Sequence, residues 1–262
     1  MERRCSERRS NCRTFDSNVR NIALSLEYDG REFCGFQMQK NRRTVQSELE
    51  LALKKLLGKK IRITASGRTD SGVHAEAQVV HFKTESKLPA SKILLGLNHY
   101  LPADIAVTDA KVVSSSFHAQ FSAKWKTYEY RILNSRIRRP LKRFRSCFVP
   151  YALEISKMKQ AARLLSGKHD FRAFETSGSR RKSAVRTIRK FHIEKIGDDL
   201  VITVEANGFL YNMMRSLVGT LLEIGRGRTQ LSDLRKILAS KSRSQAGPTA
   251  PAHGLTLKKV VY

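Results

Sequence analysis

The sequence has little of what marks several large classes of protein. Its 262 residues hold only four cysteines, at positions 5, 12, 34 and 147, in no CxxC pair and at no zinc-ligand spacing. Thiols this few and this scattered exclude a disulfide framework or a cysteine-rich metal module, and they point to a reducing compartment, the cytoplasm. The seven histidines are also dispersed, without HxH or HxxxH spacing. No GxGxxG follows a strand-like run, and neither GxxxxGK[ST] nor GxSxG occurs, so nucleotide-cofactor and serine-hydrolase motifs are absent. The chain is expected to work with no cofactor and no metal. No apolar run approaches the roughly 18 residues of a membrane span, and there is no lipidation signal or amphipathic anchor, so no membrane partner is expected. Acid is the scarcest commodity of all: 23 Asp and Glu face 50 Lys and Arg, a formal charge of +27.

That imbalance says little about fold and much about partners. Neutralising phosphates releases their counterions, so a surface this basic favours a polyanion, nucleic acid above all. Two stretches concentrate the charge: NSRIRRPLKRFR (134–145) and SRRKSAVRTIRK (179–190) each hold six Lys or Arg and no acid. Each reads either as a solvated loop or as a track for a sugar-phosphate backbone, and two of them in so basic a chain favour the track. At the N-terminus, residues 1–20 carry six arginines without the apolar core of a secretory signal. Acids at 2, 7 and 16 argue against an organellar transit peptide, and a disordered basic tail is expected.

From Asn21 the texture is that of folded sequence, with hydrophobic residues at 40% overall, enough for a core. IALSLEY alternates as a strand and ends in the turn signal Asp29-Gly30. Thr44 is placed to cap a helix over 45–57, with Val45, Leu49, Ala52, Leu53 and Leu56 on one face and Gly58 closing it. Short strands are expected at 61–64 and 78–82, a helix at 90–98 after Pro89, and a strand over 105–113. The second half repeats the order loosely: strand 127–133, CFVPY, helix 155–165, a hairpin of 185–196 and 200–206, an apolar helix 210–225, a short helix after Ser232, and a last strand, LTLKKVV. The fold expected is α+β: two ferredoxin- or RRM-like halves, 21–113 and 114–262, sharing a mainly antiparallel sheet with helices on one face and a cleft between the halves.

One stretch could carry chemistry. SGRTDSGVHA (66–75) sits between two strand-like runs. Gly67 and Gly72 permit a tight turn around Asp70, and Thr69 and Ser71 can donate to it or to the backbone. Arg68, two residues away, would share a face with Asp70 in an extended loop and favour its ionised form. By itself the stretch reads more readily as a capped polar turn with Arg68 in solvent than as a catalytic loop.

The rest of the chain decides between the two. GRTDSGVHA resembles the catalytic loop of the TruA family of tRNA pseudouridine synthases. EYDG (27–30), GFQMQ (35–39) with TVQ (44–46), AQVVHF (77–82), LNHYLPADIAV (97–107), FHAQFSAKWKTYEYRI (117–132), NGFLYNMMRSLVGTLLEIGRG (207–227) and TAPAHGL (249–255) follow in family order. The resemblance spans about 21–262 and implies a cofactor-free isomerase acting on uridine in the anticodon stem-loop of tRNA, at positions 38–40, as a homodimer. It implies that Asp70 is the catalytic aspartate. Tyr128 would be the active-site tyrosine, stacking on the detached uracil or helping to take its C5 proton, with Tyr130 the rival. Arg68 would help turn the target nucleotide out of its stack, and Arg215 would pair with Asp70. A lone cation in the apolar run MMRSLVGTLL would be costly to bury unpaired, which suits that role, with a helix-surface position the alternative. The chain departs from the family at Gly35-Phe36-Gln37, where many members have Gly-Trp-Gln. A non-catalytic RNA-binding or RNA-chaperone relative on the same fold is the competing reading, and intact GRTD, Tyr128 and Arg215 speak against it.

Overall fold

The computed structural model describes residues 19–176 and 183–262. The expected tail falls largely outside these residues, as do 179–182 of the second basic stretch. The first strand, β1 (Arg20–Tyr28), begins one residue before the texture change read from sequence.

In the first half β1 is followed by α1 (Val45–Leu57), β2 (Thr64–Ala65), β3 (His74–Thr84), α2 (Ala90–Tyr100) and β4 (Ile105–Val113). The Thr44 hydroxyl accepts from the Ser47 N–H at 3.1 Å while the Ser47 hydroxyl serves the Thr44 backbone, a capping box that fixes where α1 starts. The second half runs β5 (Trp125–Asn134), β6 (Cys147–Val149), α3 (Ile155–Leu165), β7 (Gly167–Asp170), β8 (Val185–Ile196), β9 (Asp199–Ala206), α4 (Met213–Gly225), α5 (Asp233–Ser240) and β10 (Leu255–Val261).

The ten strands of the described residues form one sheet in the order β4-β1-β3-β10-β5-β9-β8-β7, with β2 added to β3 and β6 to β5. Pairing is antiparallel except at β10–β3 and β5–β6, so the α+β class holds. Strand order repeats. In the first half it is β4-β1-β3-β2, and in the second β10-β5-β9-β8, the same ferredoxin-like path from each half's own first strand. The additions β6, β7 and α5 hang on the second copy of that path. Strand β10 joins the halves: it runs antiparallel to β5 and parallel to β3, where Thr256 and Leu257 meet His74 and Ala75. The same edge of β3 takes β2 further along, at Val80 and His81. The chain between β2 and β3, residues 66–73, therefore leaves the sheet beside the seam of the two halves.

Candidate active site

The 66–73 loop is fastened at both ends and from behind. Ser66 donates its N–H to the Val79 carbonyl (2.7 Å) and its hydroxyl to Oε1 of the fully buried Gln78 (2.6 Å), whose Nε2 returns to the Gly67 carbonyl (2.8 Å). The Thr69 and Tyr28 hydroxyls share a buried hydrogen bond of 2.8 Å, and the Thr69 carbonyl accepts from the Phe36 N–H at 3.0 Å. The Ser71 hydroxyl reaches the Phe33 carbonyl (3.1 Å), and the Val73 N–H closes a turn on the Asp70 carbonyl (3.2 Å) with Gly72 at φ +79°. Gly30 is small for a different reason: a Cβ there would lie 2.0 Å from the Val73 carbonyl oxygen. The motifs EYDG and GFQ, distant in sequence, are thus the backing of this loop. Phe36 serves it through its backbone while its ring is buried, so the missing indole donor is not needed for that contact.

Held this way, the loop turns the Asp70 carboxylate toward Arg215, the third residue of α4, with Oδ2 3.5 Å from Nη1. The guanidinium is fixed independently of Asp70. Its Nη1 donates to Asn212 Oδ1 (2.9 Å) and its Nε to the Ala250 carbonyl (2.7 Å), and the Ala250 N–H donates back to the Arg215 carbonyl (3.1 Å). The longest of these contacts is the one to Asp70, beyond the usual 2.7–2.9 Å of a strong charge-assisted bond, so the carboxylate is oriented but not bound fast. Both side chains keep about a fifth of their surface open, 22% for Asp70 and 19% for Arg215. Burial raises the Asp70 carboxyl above the ordinary aspartate value, and the Arg215 charge and hydrogen bond oppose the rise without cancelling it.

Tyr128 lies on β5 against Phe209, edge to face with ring centroids 4.8 Å apart. Burial pushes its phenol far above the ordinary value, and Asp70 is near enough to push the same way. It is a neutral phenol at any physiological pH. Tyr28 is pushed up to about 12, burial outweighing its hydrogen bonds. Tyr130 is fully buried and its hydroxyl is committed to the Pro251 carbonyl at 2.7 Å. Of the two rivals, the structure brings Tyr128 into the field of Asp70 and uses Tyr130 to hold the segment before β10.

Arg68 is placed differently from the reading that set it beside Asp70. The chain bends at Ser66 and Gly67 and turns at Ser71 and Gly72. Arg68 is exposed and has no hydrogen bond or ion pair among the described residues, and the cation on Asp70 is Arg215. His74 is fully buried and structural: its Nδ1 accepts from the Gly30 N–H (3.0 Å), which makes Nε2 the protonated nitrogen, donating to the Phe144 carbonyl (3.0 Å). Sequence reasoning missed Tyr28, Gln78, Asn212 and Ala250 as parts of the site. Only Asn212 left a trace, an amide three residues before Arg215 at the head of a helix. Among the described residues no group of three or more His, Cys, Asp or Glu is placed to hold a metal.

A cavity of about 420 Å³ lies away from Asp70, under the first basic stretch, lined by Leu133, Pro140, Phe148 and four cations. Two of those cations are tied to the β8–β9 turn, Lys142 to Asp199 and Arg139 to Asp198. Part of that charge is therefore structural rather than free for phosphate.

A shielded carboxylate facing a prefixed guanidinium, beside a neutral phenol, is the kind of perturbed charged cluster that marks a candidate enzyme site. The sequence pattern of the tRNA pseudouridine synthases matches residues 24–122 and 161–262. Curated relatives include tRNA pseudouridine synthase A of Thermoanaerobacter sp. (strain X514), 48% identical over 244 residues that cover 93% of this chain and 100% of that protein. The protein of the same name from Halalkalibacterium halodurans is 47% identical over 238 residues, 90% of each chain. The chain belongs to the TruA family of tRNA pseudouridine synthases. Among solved structures, a Cbf5-Nop10-Gar1 complex is similar at TM-score 0.37 and 11% identity, over 90% of this chain and 58% of that one.

Proposed function

We propose that the chain isomerises uridine to pseudouridine in the anticodon stem-loop of tRNA, at positions 38 to 40, with Asp70 as the catalytic carboxylate and no cofactor. The observation that carries this reading is the Asp70–Arg215 pair, a carboxylate held at the seam of the two halves by a guanidinium with two other anchors. The reaction breaks the C1′–N1 bond, turns the uracil and forms C1′–C5; C5 gives up a proton and N1 takes one. Nothing is oxidised or reduced, so no redox partner is called for. Asp70 supplies negative charge where C1′ becomes cationic, as carboxylates do in glycoside chemistry, and Arg215 keeps it ionised in a poorly solvated place. Tyr128 offers a ring to the turned uracil. Its phenol stays protonated, so it takes the C5 proton only by passing its own hydroxyl proton on. Arg68, exposed and unpaired, is free to meet the RNA strand where the target nucleotide leaves its stack.

We read residues 21–113 and 114–262 as the two units that meet at this site, the protein as a cytoplasmic homodimer, and tRNA as its partner. No helix among the described residues is long and apolar enough to cross a membrane. The test is Asp70→Asn: pseudouridine formation on an unmodified tRNA transcript is lost while tRNA affinity stays within about threefold, since the change leaves the phosphate contacts in place. Near-normal turnover in that variant defeats the assignment of Asp70. A wild-type protein that binds tRNA and forms no pseudouridine returns the chain to the RNA-binding reading.

A further inference from the structure

Between β4 and β5 the chain ties a knot, residues 117–122, to which the mechanism gives no task. Its centre is His118. The backbone N–H groups of Gln120 and Phe121 both donate to His118 Nδ1, each at 3.2 Å. The His118 N–H donates to the Ser122 hydroxyl (3.1 Å), and its carbonyl accepts from the Ser122 N–H (2.9 Å). Phe121 lies flat on His118, ring centroids 4.3 Å apart and planes within 20°. Beneath, His118 meets the buried His81 at 4.9 Å, and His81 Nδ1 accepts from the Ala119 N–H at 3.1 Å. Tyr262 clamps the knot from the C-terminus, donating its hydroxyl to the Ala119 carbonyl at 2.9 Å. With all this support, Phe121 is still 78% exposed.

Single exposed apolar side chains are ordinary and are usually mobile. Phe121 differs in that its backbone is pinned and one ring face is already stacked, which leaves the other face flat, preformed and in water. Its surroundings are cationic. Lys83 and Lys124 are exposed and carry no ion pair among the described residues, and the charge of Lys83 reaches His81. The knot is also continuous with the catalytic loop: His81 pairs across the sheet with Thr64, and β2 leads straight into Ser66, Gly67 and the unpaired Arg68. A preformed ring face among free cations, joined through His81 and β2 to the loop that carries Asp70, has the make-up of a single-strand nucleic-acid platform.

We propose that the His118–Phe121 ledge is a stacking site for an unpaired nucleobase of the RNA substrate, outside the catalytic cleft and on its Arg68 side. The inference rests on RNA as the substrate. The flanking phosphates meet Lys83 and Lys124, and stacking on a bare ring face accepts any base. A second copy of the chain is the poorer occupant, because it would press unpaired lysines against a surface of the same sign.

The test is equilibrium binding of an unmodified tRNA transcript to the full chain over a salt series, for wild type, Phe121→Leu and Phe121→Tyr. Leu keeps an apolar side chain and removes the aromatic face; Tyr keeps the face. Phe121→Leu is expected to weaken binding about tenfold, the order of one lost base–aromatic stack, with the salt slope unchanged. Phe121→Tyr stays near wild type and shows that the knot tolerates substitution. Lys124→Gln instead lowers the salt slope by about one. Equal affinity of wild type and Phe121→Leu overturns the ledge, and so does a shift from dimer to monomer in RNA-free Phe121→Leu, which would give this face to a second copy. Binding is read without turnover, so a protein that binds through Phe121 and forms no pseudouridine fails only the catalytic reading, while one that forms pseudouridine with Phe121 irrelevant fails only this inference.

Discussion

Asp70 sits between two opposed influences, and the balance sets when it is charged. Burial raises its pKa and Arg215 lowers it, with burial ahead. If the ionised form is the active one, activity falls on acidification through a pKa above the ordinary aspartate value, so the acid limb of the kcat profile lies higher than a solvent-exposed aspartate would give. Removing Arg215 removes the opposing influence. In Arg215→Gln the limb moves to still higher pH, and kcat measured on that limb drops by about tenfold for each pKa unit of lost support. Arg215→Lys restores part of both, and a limb that stays put in Arg215→Gln separates the guanidinium from the carboxylate. Tyr28 acts one step back, through Thr69. Tyr28→Phe deletes their shared bond and leaves a buried hydroxyl short of a partner, a cost of about 1–2 kcal/mol in urea unfolding. Asp70 and Tyr128 were legible as residues because they sit in ordered motifs. The Asp70–Arg215 pairing was implied by the family resemblance and suited by the cost of a lone charge in an apolar run, whereas Tyr28 and Gln78 gave no sign, since a strand tyrosine and a strand glutamine look the same whether they brace a loop or not.

Elements with local signals were read well and those set by distant partners were not. Helix α1 starts and stops at Thr44 and Gly58 because its capping box and left-handed C-cap are short-range chemistry. Helix α4 was expected from Leu210 but begins at Met213, because Asn212 takes a left-handed φ of +58° and aims its amide at Arg215. Ser232 precedes α5 as expected, yet its side chain makes no capping bond and its backbone is already helical. The strand expected over 61–64 shrinks to Thr64–Ala65, while β3 extends back to His74 because β10 is there to pair with it. Strand β7 was missed, since GKHD has no alternation of its own and is a strand only beside β8. Within α4, Gly219 faces the 248–251 segment so closely that a Cβ would lie 1.6 Å from the Pro248 carbonyl oxygen. Gly219→Ala gains about 0.5–1 kcal/mol of helix propensity, but it forces that segment off the helix, an overpacking cost of about 1–3 kcal/mol or more. The cost wins. The variant is expected to unfold at lower urea and to lose activity beyond its loss of stability, because Ala250 and Pro251, which hold Arg215 and Tyr130, move with the segment. Wild-type stability and activity together would show that the segment yields without disturbing Arg215.

At the scale of the molecule, two copies of one strand path are joined by the last strand, and that join makes the site. The Asp70 loop comes from the first half, Tyr128 and Arg215 from the second, and β10 brings β3 and β5 to either side of itself. Sequence order suggested two α+β halves with something between them; which strand forms the seam is a long-range fact that no local pattern records. The excess of base over acid then suits a chain whose substrate is itself a polyanion, and its affinity should fall steeply with salt. The central claim is that this seam isomerises uridine, and one measurement reaches it directly: position-by-position mapping of pseudouridine in an unmodified tRNA transcript after incubation with the wild-type protein and with Asp70→Asn. The account predicts pseudouridine at positions 38 to 40 with the wild type and none with Asp70→Asn. The same pseudouridine pattern from both proteins, or none from the wild type at any position, would contradict it.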